Sequence, residues 1–344
     1  MAPKQKRIQS INPPLEWVHS VGKGAMGEVN LYHDPFLDRT VVVKQMNSDM
    51  LDSPEMIKRF EREVQVLSCL KHPNIVDIYG FWMAETKLYL SMEFINGWTL
   101  RQLLEAEKRP PHWVCMAILW DMLTGLEYAH ATYAHKDIGP IAHRDIKPAN
   151  IMIGFNGRLR LLDFGISKPQ QSKDLTNPGT QIGTIAYMSP EQIQEAAAIS
   201  TKTDIFSAGI IFWELLTGKH PFRGPNAMST CQAIVNKDLD WKLLPYELDP
   251  KIKYLLQGML QKDPKKRFSA QQALETLEQP MQSLPRNPNA LVGHYLLHIR
   301  KPESVLPPSP PNLPKFRKPI STWLFTASGC LVCLAAGMLI GHLA

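Results

Sequence analysis

Hydrophobic and polar positions follow two periods up to about residue 280 and neither beyond it. Glu28-Val-Asn-Leu-Tyr32 alternates, and Thr40-Val-Val-Val-Lys44 is a short apolar run. Asp34-Pro-Phe-Leu-Asp-Arg39 supplies turn chemistry between them, so this stretch is predicted to be strand, turn and strand. Met56, Phe60, Val64 and Leu67 then recur at spacings of 4, 4 and 3, the stripe of an amphipathic helix, with Ser53 as N-cap and Pro54 at its first position. Farther on, the apolar segments 151–153 and 159–162 flank Asn156-Gly157, the pattern of a tight β-hairpin. After about Gln279 the periodicity stops. Ten of the 28 prolines fall between Pro280 and Pro319, and Val305-Leu-Pro-Pro-Ser-Pro-Pro-Asn-Leu-Pro314 is expected to be polyproline II or disordered. It reads as a stiff spacer or as a docking site for a proline-binding domain. Trp323 to Gly341 then runs 19 residues without a charge, close to the length that spans a hydrocarbon core.

Composition narrows these readings. With 44% hydrophobic and 20% charged residues in 344, the chain is globular, not wholly disordered, and long enough for two or three domains. The five cysteines are scattered, apart from Cys330 and Cys333 in the apolar run, which argues against a disulfide framework or a four-ligand zinc site. The net charge of +6 sits mostly in the tail. From Met281 onward Arg286, Arg300, Lys301, Lys315, Arg317 and Lys318 face a single acid, Glu303, so the body lacks the basic footprint of a nucleic-acid binder. The polar start, Met1 to Arg7, has no apolar core of a signal peptide. Lys315, Arg317 and Lys318 precede the apolar run and Trp323 sits at its edge, so a single C-terminal anchor is expected, with residues 1–320 in the cytoplasm; the alternative, a buried core helix, is disfavoured by the Pro-rich spacer before it.

Three clusters carry chemistry. Val21-Gly-Lys-Gly-Ala-Met-Gly-Glu-Val29 contains G-x-G-x-x-G-x-V, whose bare backbone N–H groups suit phosphate oxygens. A dinucleotide fold shares that spacing but leads into a helix; here a strand follows. Lys44 ends an apolar strand, so it is either a plain strand-end lysine or a half-buried cation that should have an anionic partner. Glu63, three after Phe60 and four before Leu67, lies on the inward face of the next helix and is the natural candidate, the alternative being a solvent-facing Glu. Third, Ile141-Ala-His-Arg-Asp-Ile-Lys-Pro-Ala-Asn-Ile151 sets polar residues in an apolar frame, and Arg160-Leu-Leu-Asp-Phe-Gly165 follows. The hairpin brings Asn150 and Asp163 to meeting strand ends, where an amide and a carboxylate can share a hard cation, with Asp145 beside them.

Taken together these motifs resemble the eukaryotic-type protein kinases over roughly residues 15–277: a Gly-rich loop, VVVK where the family has V-A-I-K, H-R-D-x-K-x-x-x-N and D-F-G. The resemblance implies an α+β, bilobal fold: a tail 1–14, a kinase domain 15–279 (β-rich N-lobe 15–95, helical C-lobe 96–279), a Pro-rich basic linker 280–321 and a transmembrane helix 322–343. It also implies ATP and Mg²⁺ as cofactors. Val21, Gly22, Lys23, Gly24, Ala25, Met26, Gly27, Glu28 and Val29 would cover the nucleotide; Val29 and Val42 would roof the adenine and Met152 floor it. Met92 would be the gatekeeper, with Glu93 and Phe94 offering backbone hydrogen bonds. Lys44, paired with Glu63, would hold the α/β-phosphates; Asn150 and Asp163 would hold Mg²⁺; Asp145 would accept the substrate hydroxyl's proton; Lys147, in the Ser/Thr form of the motif, would neutralise the γ-phosphate.

By the same resemblance the activation loop spans Asp163 to Glu191, with Thr176 and Thr180 as leading phosphate acceptors, Ser172 third and Arg144 as the phosphate's partner. Glu191 is expected to pair with Arg267, Asp204 to brace the catalytic loop, and Phe206 to stand in for the usual Trp. The texture is similar to bacterial membrane-bound Ser/Thr kinases. This implies protein substrates, lipid contact through the C-terminal helix, a transient homodimer, and single-pass membrane localisation at a bacterial inner membrane with the kinase domain cytoplasmic. His130, His135 and Asp137 read as a surface insertion. The competing reading is a catalytically silent, membrane-tethered scaffold.

Overall fold

The computed structural model describes residues 14–300, apart from 25–26, 47–60, 62–63, 85–86, 133–139, 165–184 and 195–198. Tail 1–13, the Pro-rich stretch and the apolar run lie outside the described residues. Among the described residues no helix is long and apolar enough to cross a membrane.

Five antiparallel strands form the first sheet in the order β1-β2-β3-β5-β4: β1 (Glu16–Gly24), β2 (Gly27–Asp34), β3 (Arg39–Met46), β4 (Ile78–Ala84) and β5 (Lys87–Glu93). The predicted pair of strands is β2 and β3, joined by the Asp34 turn, where the side chain accepts from the N–H groups of Phe36 and Leu37. The register is unbroken between β2 and β3. The sheet's edges are irregular: β1 carries bulges at Trp17/His19 and Ser20/Gly22, and β4 one at Ile78/Gly80. The inward face is a small core of Met46, Val64, Val76, Leu88, Leu90 and Met92.

A second sheet, β6 (Gly97–Thr99), β7 (Ile151–Gly154) and β8 (Leu159–Leu161), opens a helical lobe. Helices α1 (Leu100–Ala106), α2 (His112–Ala131), α3 (Pro190–Ile193), α4 (Lys202–Thr217), α5 (Ala227–Asn236), α6 (Pro250–Met259), α7 (Ala270–Gln282) and α8 (Pro288–Ile299) follow. Nearly every side chain of α4 is buried. Helix starts are marked by their sequences: Thr99, Asn226 and Ser269 cap α1, α5 and α7 in capping boxes. The two-lobe arrangement of a β-sheet lobe followed by a helical lobe is therefore present.

One boundary differs from expectation. The first residues of the linker foreseen from 280 are largely helical, because α7 continues through Pro280 to Gln282 and α8 packs on the helical lobe. The prolines there are helix punctuation: Pro280 falls in the last turn of α7, and Pro288 follows the N-cap Asn287, where a missing N–H costs nothing.

The helical lobe is pinned by the foreseen ion pair. Arg267 is fully buried and donates to both carboxylate oxygens of Glu191 at 2.6 and 3.0 Å, and its remaining donors reach the carbonyls of Gln261, Lys202 and Lys262. Phe206 lies under this guanidinium at 4.8 Å, so it fills the position expected of it. Burial works against the Glu191 charge, but Arg267 prevails and holds its carboxyl below the usual 4.5. The folded pKa is the lower one, so the pair's stabilisation is present above about pH 4.5 and fades as pH falls below it. Arg267→Met leaves a buried carboxylate without its counter-charge, with the Thr203 hydroxyl still donating to it, and is expected to cost about 3–5 kcal/mol in urea unfolding at pH 7, with the deficit shrinking in acid.

Candidate active site

The glycine loop closes where β1 and β2 pair up to Gly24 and Gly27. Gly27 has φ +143°, and a Cβ there would strike the Gln45 carbonyl of β3, so only glycine allows this crossing. Val21, Gly22 and Lys23 on β1 are exposed; Ala25 and Met26 lie outside the described residues. Glu28 and Val29 follow on β2, with Val29 opposite Lys44 of β3. Val42 and Met152, on β3 and β7, remain half-buried, as surfaces facing a cleft would.

Lys44 is 9% exposed and donates to Asp163 Oδ2 at 2.9 Å, a contact between residues 119 apart in sequence that joins the lobes. Glu63 lies outside the described residues, as do Thr176, Thr180 and Ser172. Glu93 ends β5, and its N–H is donated to the Asp77 carbonyl. Its side chain, unassigned in the sequence, takes Arg160 from β8 at 3.1 and 3.3 Å. Phe94 follows directly.

Asp145, Lys147 and Asn150 lie together. Asp145 Oδ2 accepts from Lys147 Nζ at 2.9 Å and from Asn150 Nδ2 at 2.9 Å. Asn150 closes a short 3₁₀ turn at the head of β7, and its carbonyl accepts the Leu162 N–H at 2.9 Å, so the hairpin does bring Asn150 beside the Leu162-Asp163 end. With its Nδ2 committed to Asp145, the Asn150 atom open to a hard cation is the amide oxygen. Together with the Asp163 carboxylate this is an all-oxygen donor pair, the kind a divalent cation shared with phosphates takes, so the residues fit Mg²⁺. Among the described residues no cluster of three or more His, Cys, Asp and Glu could hold a metal alone.

Two residues of this site hold strained backbone: Arg144 at φ +64° and Asp163 at φ +49°. Asp204, buried in α4, fixes the first. Its Oδ1 accepts the Arg144 N–H and its Oδ2 the His143 N–H, both at 2.8 Å, while Gln192 Nε2 donates to the Arg144 carbonyl at 3.1 Å. Burial would raise the Asp204 carboxyl, but the His130 hydrogen bond at 2.8 Å and the neighbouring imidazoles keep it low. His130 is thus a brace at the end of α2 and not part of a surface insertion. It lies four residues after Leu126 on the buried face of α2, a spacing that marks it in the sequence; His135 and Asp137 lie outside the described residues.

His143 was not singled out by the motif. Its Nε2 lies 2.8 Å from the Leu162 carbonyl, which can only accept, so that nitrogen carries the proton. Nδ1 then accepts the Asp145 N–H at 3.3 Å. The ring is a neutral post between Asp145 and the Leu162-Asp163 segment, packed on Phe164 at 4.4 Å. Burial lowers its pKa from 6.5, with the nearby Asp204 and Asp145 opposing. Burial also lowers His72, and brings His220 to about 3.

A family model described as the protein kinase domain matches residues 15–277. The chain is 37% identical over 209 residues to serine/threonine-protein kinase PrkC of Bacillus subtilis, covering 61% of this chain and 31% of that protein. It is 35% identical over 223 residues to serine/threonine-protein kinase PknB of Mycobacterium leprae, covering 63% and 35%. With PknA of Corynebacterium glutamicum, a protein named for serine/threonine kinase activity, identity is 31% over 259 residues, covering 74% and 53%. The chain spans about a third of the first two relatives and about half of the third.

The buried neutral histidines fix a pH slope. In the unfolded chain they take protons near 6.5, whereas folded they resist, so stability is full above about pH 6.5 and declines as pH falls from there. Thermal melts between pH 7.5 and 5 are expected to show this decline, and His143→Gln to lessen it while His72 and His220 keep the remainder.

Proposed function

Because this chain belongs to the protein kinase family, we propose that it is a serine/threonine protein kinase that transfers the γ-phosphate of ATP to protein hydroxyls. The observation that carries this reading is the convergence of Lys44 on Asp163 at 2.9 Å, with Asp145, Lys147 and Asn150 in mutual contact on the same hairpin frame. Lys44, Asp145, Asn150 and Asp163, the four groups that catalysis needs, are all present, which disfavours the silent scaffold. Similarity to relatives named as serine/threonine kinases supports the substrate class.

Each residue has a physical task. The glycine loop offers N–H groups to the phosphates. Lys44 places a cation on them, and Glu63 positions that lysine. Asn150 and Asp163 supply the oxygens for Mg²⁺, which when bound neutralises charge between the phosphates. Asp145, held by Lys147 and Asn150, orients the substrate hydroxyl and accepts its proton as that oxygen attacks the γ-phosphorus, whose bond to the β,γ-bridging oxygen breaks and releases ADP. Lys147 offsets the charge on the moving phosphoryl group. Positioning and charge compensation supply most of the rate in such a transfer. Val29, Val42 and Met152 sandwich the adenine, and Glu93 and Phe94 address its edge through their backbone.

Regulation follows from Arg144. Its Nε is buried and has no hydrogen-bond partner among the described residues, which supports an incoming anion: phosphate on Thr176 or Thr180, added by a second copy of the chain. A membrane helix over 322–343 would confine copies to two dimensions, keep the domain on the cytoplasmic face, and make such transient pairing effective.

Purified full chain with Mg²⁺ and [γ-³²P]ATP is expected to label a basic protein on serine and threonine. Asp145→Asn is expected to lower kcat by about 10²–10⁴-fold. Wild type as inert as Asp163→Ala would refute catalysis. Mass spectrometry of the same reaction should find phosphate on Thr176 or Thr180. Full chain should sediment with membranes while residues 1–320 remain in the supernatant; soluble full chain would contradict the anchor.

A further inference from the structure

Helix α8 lies beyond the residues that the family model matches, yet it docks on the hairpin that carries the metal-holding pair. Val292 and Leu296 are buried in the lobe's core, which fixes the helix against α2. The Tyr295 ring meets Trp113 of α2 edge-on at 6.1 Å. Contact with the hairpin is backbone on backbone. Gly157, at the turn between β7 and β8, has φ +78°, and a Cβ on it would strike the Asn289 carbonyl. A Cβ on Gly293 would lie 2.9 Å from the Gly157 nitrogen and 3.1 Å from the Asn156 carbonyl carbon. Arg300 sits over the Phe155 ring at 5.3 Å. Asn289 Nδ2 reaches Asp121 Oδ2 at 3.4 Å, the oxygen that also accepts the Leu159 N–H at 3.3 Å.

From that turn the hairpin leads directly to the site. Leu159 N–H and carbonyl are held by Asp121 and by Asn74 Nδ2, Leu161 N–H donates to the Asn74 carbonyl at 2.8 Å, and Leu162 N–H donates to the Asn150 carbonyl at 2.9 Å. The turn at one end and the Asn150–Asp163 pair at the other are joined by strands of four and three residues. Strands this short have few ladder bonds of their own to fix their register.

We propose that α8 is a positioning element: Asn289 and Gly293 seat it on the Phe155–Gly157 turn while Tyr295 holds it against α2, and this sets the register of β7 on β8 and so the separation of Asn150 and Asp163. A helix that only covered apolar surface would need neither the backbone contact at Gly157 nor the shared acceptor at Asp121. The inference rests on the kinase reading for the cation at that pair; the hairpin coupling itself does not.

The test uses the full chain as wild type, Gly293→Val and the milder Tyr295→Ala. Amide hydrogen exchange and binding of ADP, with MgCl₂ or with EDTA, are measured on each. The expected result is faster exchange at Leu159, Leu161 and Leu162, with α4 unchanged. Affinity for ADP with Mg²⁺ should fall about 10-fold while affinity in EDTA holds, and excess Mg²⁺ should restore binding. Opening of α8 amides with the hairpin still protected and Mg²⁺-dependent affinity intact would overturn the proposal. Equal losses with and without Mg²⁺ would overturn it too, since they mark general damage to the cleft. Should Gly293→Val open α4 as well, Tyr295→Ala decides between these outcomes. Wild type that binds no ADP would sink the kinase reading, while the exchange arm still decides whether α8 governs the hairpin.

Discussion

One carboxylate inside α4 takes hydrogen bonds from a side chain and two backbone N–H groups: His130, His143 and Arg144. Burying a charge is costly unless every lone pair is engaged, and Asp204 engages its oxygens on the segment that leads into Asp145. Only because those bonds exist can Arg144 remain at φ +64°. That conformation turns the chain so that Asp145, Lys147 and Asn150 emerge on the same side. The helix that supplies this carboxylate has nearly every side chain buried.

The acidic and basic residues of the cleft were legible in the sequence because their spacing reports the chemistry: an amide and a carboxylate at the two ends of a hairpin, a lysine at the end of an apolar strand. The strand pair, the hairpin and the Glu191–Arg267 contact were legible for the same reason, since each is either local or one term of a fixed motif. His130 was not recognised because its partner lies 74 residues away and it reads together with His135 and Asp137 as a surface insertion. His143 was quoted within a motif, but its tautomer depends on the Leu162 carbonyl, a tertiary contact that no spacing announces.

Prolines misled at the end of the domain. Counting them marks a linker from residue 280, yet two of them serve helices, one in a final turn and one behind an asparagine cap. The distinguishing signal is the residue before each proline and the apolar positions after it: Val292 and Leu296 are four apart and face inward. Density of proline describes a segment's average, whereas capping geometry belongs to single positions.

The bulges on β1 and β4 have a further consequence. They fall on both outer strands of the five-stranded sheet, while β2 and β3 between them keep an unbroken register. An outer strand leaves a row of unpaired N–H and C=O groups, which invites a strand from a neighbouring molecule. Each extra residue twists that row out of line, so a flat ladder of the required length is never presented. Crowded copies of this lobe are thereby kept from polymerising edge to edge, at no cost to the strands that carry Lys44.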